Sequence, residues 1–135
     1  MSIRVRYTVQ SAISSTSAEE RDLGNVYWQI VTDQETKGGT TKTVVPAGTV
    51  GLQIQIDNVS TIQYLAIRTV SNNPNAPPCP VSLYLNSSLA VPILITPLGD
   101  AQEGHLLMST DEVTAIYMSN TGPTDMSVTV GYAGI

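Results

Sequence analysis

Apolar and polar residues alternate one for one over several short stretches, and this period of two constrains the fold more than any other feature. Ile3, Val5, Tyr7 and Val9 alternate with Arg4, Arg6, Thr8 and Gln10. Leu52, Ile54 and Ile56 alternate with Gln53, Gln55 and Asp57, and Val81, Leu83 and Leu85 with Ser82, Tyr84 and Asn86. Successive side chains of a strand point to opposite faces, so each stretch reads as a strand with one buried face.

Further strands are expected over 26–32, 40–45, 62–70, 91–95, 104–109, 113–120 and 126–133, with Leu65 and Ile67 facing inward. Gly38-Gly39 reads as a turn, and Pro46-Ala47-Gly48 ends the strand before it. Ser17-Ala18-Glu19-Glu20 has the form of a helix cap, with room for one or two turns at most; a structureless loop fits equally. Residues 71–80 hold four prolines and three asparagines. Proline removes a ladder donor and fixes φ, so no strand crosses them. They form a long connection inside one domain, since either side alone is too short for a good core. Thr121-Gly122-Pro123-Thr124-Asp125 reads as a hairpin loop between the last two strands. The expected fold is therefore all-β: an antiparallel β-sandwich of jelly-roll or Greek-key type, with nine to ten short strands in one domain over 1–135.

Charge narrows the range of functions. Only 13% of the 135 residues are charged, about half the usual share. Much of the surface must be neutral and polar, and such a surface is easier to desolvate against a partner than one rich in Lys or Glu. The net charge is −5, and Arg4, Arg6, Arg21, Lys37, Lys42 and Arg68 form no run. Nucleic-acid binding needs a basic patch that displaces counterions, so it is not expected. No apolar stretch reaches the length of a membrane span, and the start has no apolar core of signal-peptide length. A soluble product made in the cytoplasm is expected, and the triplets Asn58-Val59-Ser60 and Asn86-Ser87-Ser88 then carry no glycan.

The usual catalytic groupings are missing from the sequence. His105 is the only histidine and Cys79 the only cysteine, too few for a metal site and without the Gly-x-Ser-x-Gly frame of a hydrolase. His105 is expected at a rim, and Cys79, set among prolines, as a structural thiol. Asp57, Asp100, Glu103, Asp111 and Glu112 each sit beside turn residues, which explains them better than a glycosidase pair does. Asp33, Glu35, Asp57 and Asp100 fall short of the converging oxygens that calcium takes. Tyr7, Tyr64, Tyr84, Tyr117 and Tyr132 fall inside expected strands and read as core residues with the hydroxyl at the rim. No enzyme activity and no cofactor are expected.

The second half carries a resemblance. Val81-Ser82-Leu83-Tyr84-Leu85-Asn86-Ser87-Ser88 leads through Pro92 and Pro97 to Glu103-Gly104-His105-Leu106-Leu107. Then come Val113-Thr114-Ala115-Ile116-Tyr117-Met118-Ser119-Asn120-Thr121-Gly122 and Val128-Thr129-Val130-Gly131-Tyr132-Ala133-Gly134. This texture resembles small β-rich head and tail proteins of tailed bacteriophages, above all capsid decoration (cement) proteins with a jelly-roll body. The resemblance implies a virion structural protein on the capsid exterior. Its partners would be the major capsid protein and further copies of itself, as a dimer or a trimer. The implied contact elements are the first polar loop with Arg21, the strand edge with Arg4 and Arg6, and the proline loop with Asn73, Pro77 and Pro78. A receptor- or carbohydrate-binding tail module, with Trp28 or Tyr27 as its exposed aromatic, and a head-to-tail joining protein are the alternatives.

Overall fold

The computed structural model describes residues 5–14, 22–32, 37–98 and 102–135, and they form ten strands and no helix. The chain divides into two compact units, 1–36 and 37–135. The first unit is a two-stranded antiparallel sheet of β1 (Val5–Ser14) and β2 (Asp22–Thr32), in register from Val5 opposite Thr32 to Ile13 opposite Gly24. The cap expected at Ser17 and the loop position Arg21 lie outside the described residues, as do Arg4, Asp33, Glu35 and Asp100.

The second unit is an antiparallel β-sandwich. Its strands are β3 (Lys37–Val45), β4 (Thr49–Ile54), β5 (Ile62–Ser71), β6 (Val81–Leu85), β7 (Ile93–Ile95), β8 (Gly104–Val113), β9 (Ile116–Asn120) and β10 (Met126–Gly134). One sheet has the order β3-β10-β5-β8, the other β4-β9-β6-β7. The ladders β3·β10, β4·β9, β5·β8 and β6·β7 are nested about the turn after β6. The unit is thus one long antiparallel ribbon with its tip at 86–92, folded over so that β10 also meets β5 and β6 also meets β9. The long connection 72–80 crosses between the sheets inside this one unit, as its prolines suggest.

Alternation builds the core. Leu65, Ile67, Val81, Leu83, Met118, Val128 and Val130 are buried between the sheets, while the residues between them face outward or are half-buried. Three local expectations need correcting. Gly38-Gly39 is no turn but part of β3. A Cβ on Gly38 would lie 2.4 Å from the Tyr132 carbonyl oxygen, so glycine there lets β3 approach β10 closely. Asp111 and Glu112 belong to β8, which passes an irregularity opposite β5 and runs on to Val113; the chain turns at Thr114-Ala115 instead. The loop 121–125 is no hairpin, because β9 and β10 lie in different sheets. Its turn residues make it look like one, but buried Asn120 directs the chain across the sandwich.

Candidate functional site

Three loops meet at one end of the sandwich, and one buried amide ties them. Asn120 Nδ2 donates to the Val45 carbonyl at 2.9 Å and the Thr124 carbonyl at 2.7 Å. Its Oδ1 accepts from the Gly122 N–H at 3.1 Å and the Cys79 thiol at 3.2 Å. Cys79 is buried, and its backbone N–H points at the Met126 sulfur, so the thiol is a structural group here. Thr124 Oγ1 donates to the Pro77 carbonyl at 2.7 Å, and the Asn72 N–H donates to the Asp125 carbonyl at 2.9 Å. Asp125 Oδ1 in turn accepts from the Ala47 N–H at 2.8 Å.

The proline loop is held from within as well. Asn73 Oδ1 accepts from the Asn75 N–H at 3.0 Å, and the Asn73 carbonyl accepts from Ser71 Oγ at 2.6 Å and the Ala76 N–H at 3.0 Å. Asn73 and Pro77 are exposed and Pro78 is half-buried. These three expected contact residues therefore share one ordered loop. Arg6 lies on β1 in the other unit, opposite Val31.

Charge is partitioned between the two sheets of the sandwich. The strands β3, β5 and β8 carry Lys37, Lys42, Arg68, His105, Asp111 and Glu112, whereas β4, β6, β7 and β9 carry no charged residue. The chain is uncharged over 43–56, 69–99 and 113–124, and all four strands of the second sheet fall within these stretches.

The outer face of the charge-free sheet has structure of its own. Tyr84 lies opposite Tyr117, and Tyr117 opposite Gln53. Both tyrosines alternate with the buried Leu83 and Met118, so they face outward, half-buried. Ser119 shares Tyr117's face, and its hydroxyl accepts from the Gly51 N–H at 2.9 Å, yet it is only 3% exposed. Ser88 Cβ lies 3.3 Å from where a Cβ on Gly51 would stand. The ribbon tip therefore folds back over this corner of the sheet. A turn closed by the Ala90 N–H to the Ser87 carbonyl (3.0 Å) and the Leu89 N–H to Ser87 Oγ (3.1 Å) presents Leu89 at 94% exposure and Val91 at 89%. Leu94 on β7 and Val50 on β4 are also exposed, at 61% and 78%.

Of the four tyrosines of the sandwich, Tyr132 is buried; its hydroxyl accepts from the Asp57 N–H at 3.2 Å. Tyr64, Tyr84 and Tyr117 are half-buried, so the reading of all strand tyrosines as core residues holds for Tyr132 alone among them. The period of two held the signal: Tyr84 and Tyr117 each fall one residue out of phase with the buried positions.

The opposite sheet carries a charged trio. Arg68 Nε donates to Glu103 Oε2 at 3.1 Å, its other nitrogen pairs with Oε1, and His105 Nε2 lies 3.2 Å from Oε2. The hydrogen bond from Arg68 holds the Glu103 carboxyl below the usual carboxylate range. All three groups sit on an open face, with His105 64% exposed. An open cleft of about 340 Å³ at Gln53, Ile54, Gln55, Ile56, Thr114 and Ala115 has no titratable side chain in its lining. Among the described residues, no three His, Cys, Asp or Glu side chains gather as a metal ion would require. No family model, no curated protein and no solved structure matches the chain.

Proposed function

We propose that this chain is a non-enzymatic structural protein of a virus particle, a capsid decoration protein that binds across neighbouring major capsid protein subunits and stabilises the shell from outside. The observation that carries the reading is the pinned proline loop, 72–80, which carries no charged residue of its own. Asn73, Pro77 and Pro78 stand on a loop fixed by its own hydrogen bonds and by Asn120, Thr124 and Asp125, so little entropy is lost when it docks. The strand orders β3-β10-β5-β8 and β4-β9-β6-β7 support a jelly roll, an architecture found in viral capsid domains and also in lectins. The texture of residues 81–134 resembles phage decoration proteins and points the same way. Adhesion of this kind needs no catalytic group; it needs neutral area that sheds water cheaply and copies repeated by symmetry.

The test is cosedimentation with empty capsids. The protein is expected to travel with the shells in mild salt, and an Asn73→Asp, Pro77→Asp double variant to remain largely at the top of the gradient. Parent protein that stays at the top refutes the reading.

The paired Tyr84 and Tyr117 on an outer sheet face favour a second reading, a carbohydrate-binding module, since sugars stack on such rings. A glycan array bound by the parent and lost with Tyr84→Ala would select it over the first.

A further inference from the structure

We propose that the outer face of the β4-β9-β6-β7 sheet is the self-association surface of this protein, occupied by the same face of a second copy in a two-fold dimer. The inference builds on the assembly reading and names which surface meets the twin.

Charge selects the occupant. Each copy carries −5, so two copies repel except where their charges are remote from the contact. This is the one sheet of the sandwich without a charged residue on any strand. A basic partner would meet a charged face better, whereas an uncharged face fits another uncharged face, and every copy supplies one. In a two-fold contact the same patch meets itself, which a face mixing aromatic, aliphatic and neutral polar groups allows.

The composition suits an interface core. Tyr84 and Tyr117 are large, half-buried and rigid, and aromatic residues are enriched where binding energy concentrates. Leu89, Val91 and Leu94 are too exposed to stabilise the sandwich itself. The hydrogen-bonded turn at Ser87 nevertheless holds Leu89 in place rather than leaving it to collapse. A large apolar side chain held out into water by an ordered turn is what a docking knob requires.

The area is that of a weak dimer. Four strands about 4.8 Å apart and about five residues long at about 3.3 Å each give a plan of about 300 Å². Side-chain relief and the folded-back turn add to that plan, so two copies bury more than about 600 Å², which places the contact among the small, transient interfaces.

The experiment is light scattering and sedimentation equilibrium of the full chain over a concentration series, in low salt and in about 1 M salt. The parent should dimerise, and added salt should not dissociate the dimer, because no ion pair holds it and screening eases the repulsion between copies. Leu89→Asp with Leu94→Asp alters only exposed positions and puts four carboxylates into the interface. It should weaken the dimer at least ~100-fold while leaving the circular dichroism of the parent unchanged. Val44→Asp, on the outer face of the other sheet, should leave the dimer intact. The proposal is overturned by a parent that stays monomeric to about 1 mM, the weak limit of specific association. A Leu89→Asp, Leu94→Asp protein that dimerises like the parent, or a dimer lost equally with Val44→Asp, would also overturn it. Failure of capsid cosedimentation leaves the dimer measurement as it stands, so the two readings fail separately.

Discussion

Asn120 is the side chain whose loss should be felt most widely. It is fully buried and makes four hydrogen bonds to four residues: the end of β3 at Val45, the thiol of Cys79, and Gly122 and Thr124 in the crossing loop. Alanine at this position removes two N–H donors and one shared acceptor. At about 1 kcal/mol net for each neutral bond, with the Gly122 N–H left unpaired and a small void added, the loss is about 4–6 kcal/mol. A domain of this size holds about 5–15 kcal/mol in all. Over a urea slope of about 1.5 kcal/mol/M, about 4 kcal/mol lowers the midpoint by about 2.7 M.

The assay must follow the correct unit. Trp28, the only tryptophan, lies on β2, so its fluorescence reports the hairpin, while far-ultraviolet circular dichroism is dominated by the eight strands of the sandwich. A midpoint shift below about 0.5 M for Asn120→Ala would refute the clasp as the organising element of this end. Asn120→Asp sharpens the test because it keeps the shape. The new carboxylate would face the Val45 and Thr124 carbonyl oxygens out of water, which raises its folded pKa above the unfolded value. Its deficit against the parent should therefore be small in acid, where the protonated acid can donate one bond, and should grow as pH rises through the folded pKa.

Glu103→Gln should lower stability at neutral pH by a small amount that vanishes in acid. The Glu103 carboxyl is held below the carboxylate range, chiefly by the hydrogen bond from Arg68, so its contribution is present above the unfolded pKa and lost as pH falls through the folded one. A carboxyl titration by NMR checks this, and a midpoint in or above the ordinary range contradicts it. Thr69 Oγ1 is buried and, among the described residues, without a hydrogen-bond partner, so Thr69→Val should be neutral or stabilise by up to about 1 kcal/mol in urea unfolding. Gly104 faces Thr69 across β5·β8, and a Cβ there would lie 2.3 Å from Thr69 Oγ1 and 2.8 Å from Ile95 Cγ2. Gly104→Ala should cost about 1–3 kcal/mol by the same measurement.

The strands were legible because alternation is a local signal. Leu52 to Asp57, Val81 to Leu85 and Met126 onward announce which residues face the core without reference to anything distant, and Ile54, Val81, Leu83, Val128 and Val130 are buried as their phase requires. Which sheet a strand joins was not legible. The loop 121–125 has the chemistry of a hairpin turn, and its crossing depends on Asn120, Cys79 and Val45, which meet only after folding. The end of β8 was misplaced for a related reason: Asp111 and Glu112 sit beside turn residues and the expected strand stops at Ser109, yet β8 passes an irregularity there and pairs again at Val113, opposite Ile62. The candidate surface lay between these cases. Its proline loop stood out by residue type alone, and Asn73, Pro77 and Pro78 do share one ordered loop. The uncharged sheet was present only as three separate charge-free stretches. Each is unremarked alone, and topology brings β4, β6, β7 and β9 from them into one sheet.

The proposed capsid contact at 72–80 and the turn at 87–90 of the proposed self-association face both lie in the uncharged stretch 69–99, and their separation distinguishes direct adhesion from avidity. The loop 72–80 lies at an end of the sandwich, while the turn at 87–90 lies over the side of a sheet. A copy holding the shell by its end leaves its side free for a twin. Two weak end contacts joined through the sides then act as one, because the second forms at the high local concentration set by the first. The gain for such linkage is about 10²–10⁴-fold without any new contact to the shell. Leu89→Asp with Leu94→Asp, monomeric but with an intact loop end, should therefore bind capsids about 10²–10⁴-fold more weakly than the parent. Joining two of these monomers through a flexible linker long enough to span adjacent sites should restore most of the loss. If the unlinked monomer binds as tightly as the parent, pairing contributes nothing to adhesion. If it binds weakly and the linker fails to rescue it, Leu89 and Leu94 touch the shell themselves, and the assignment of end to capsid and side to twin is wrong.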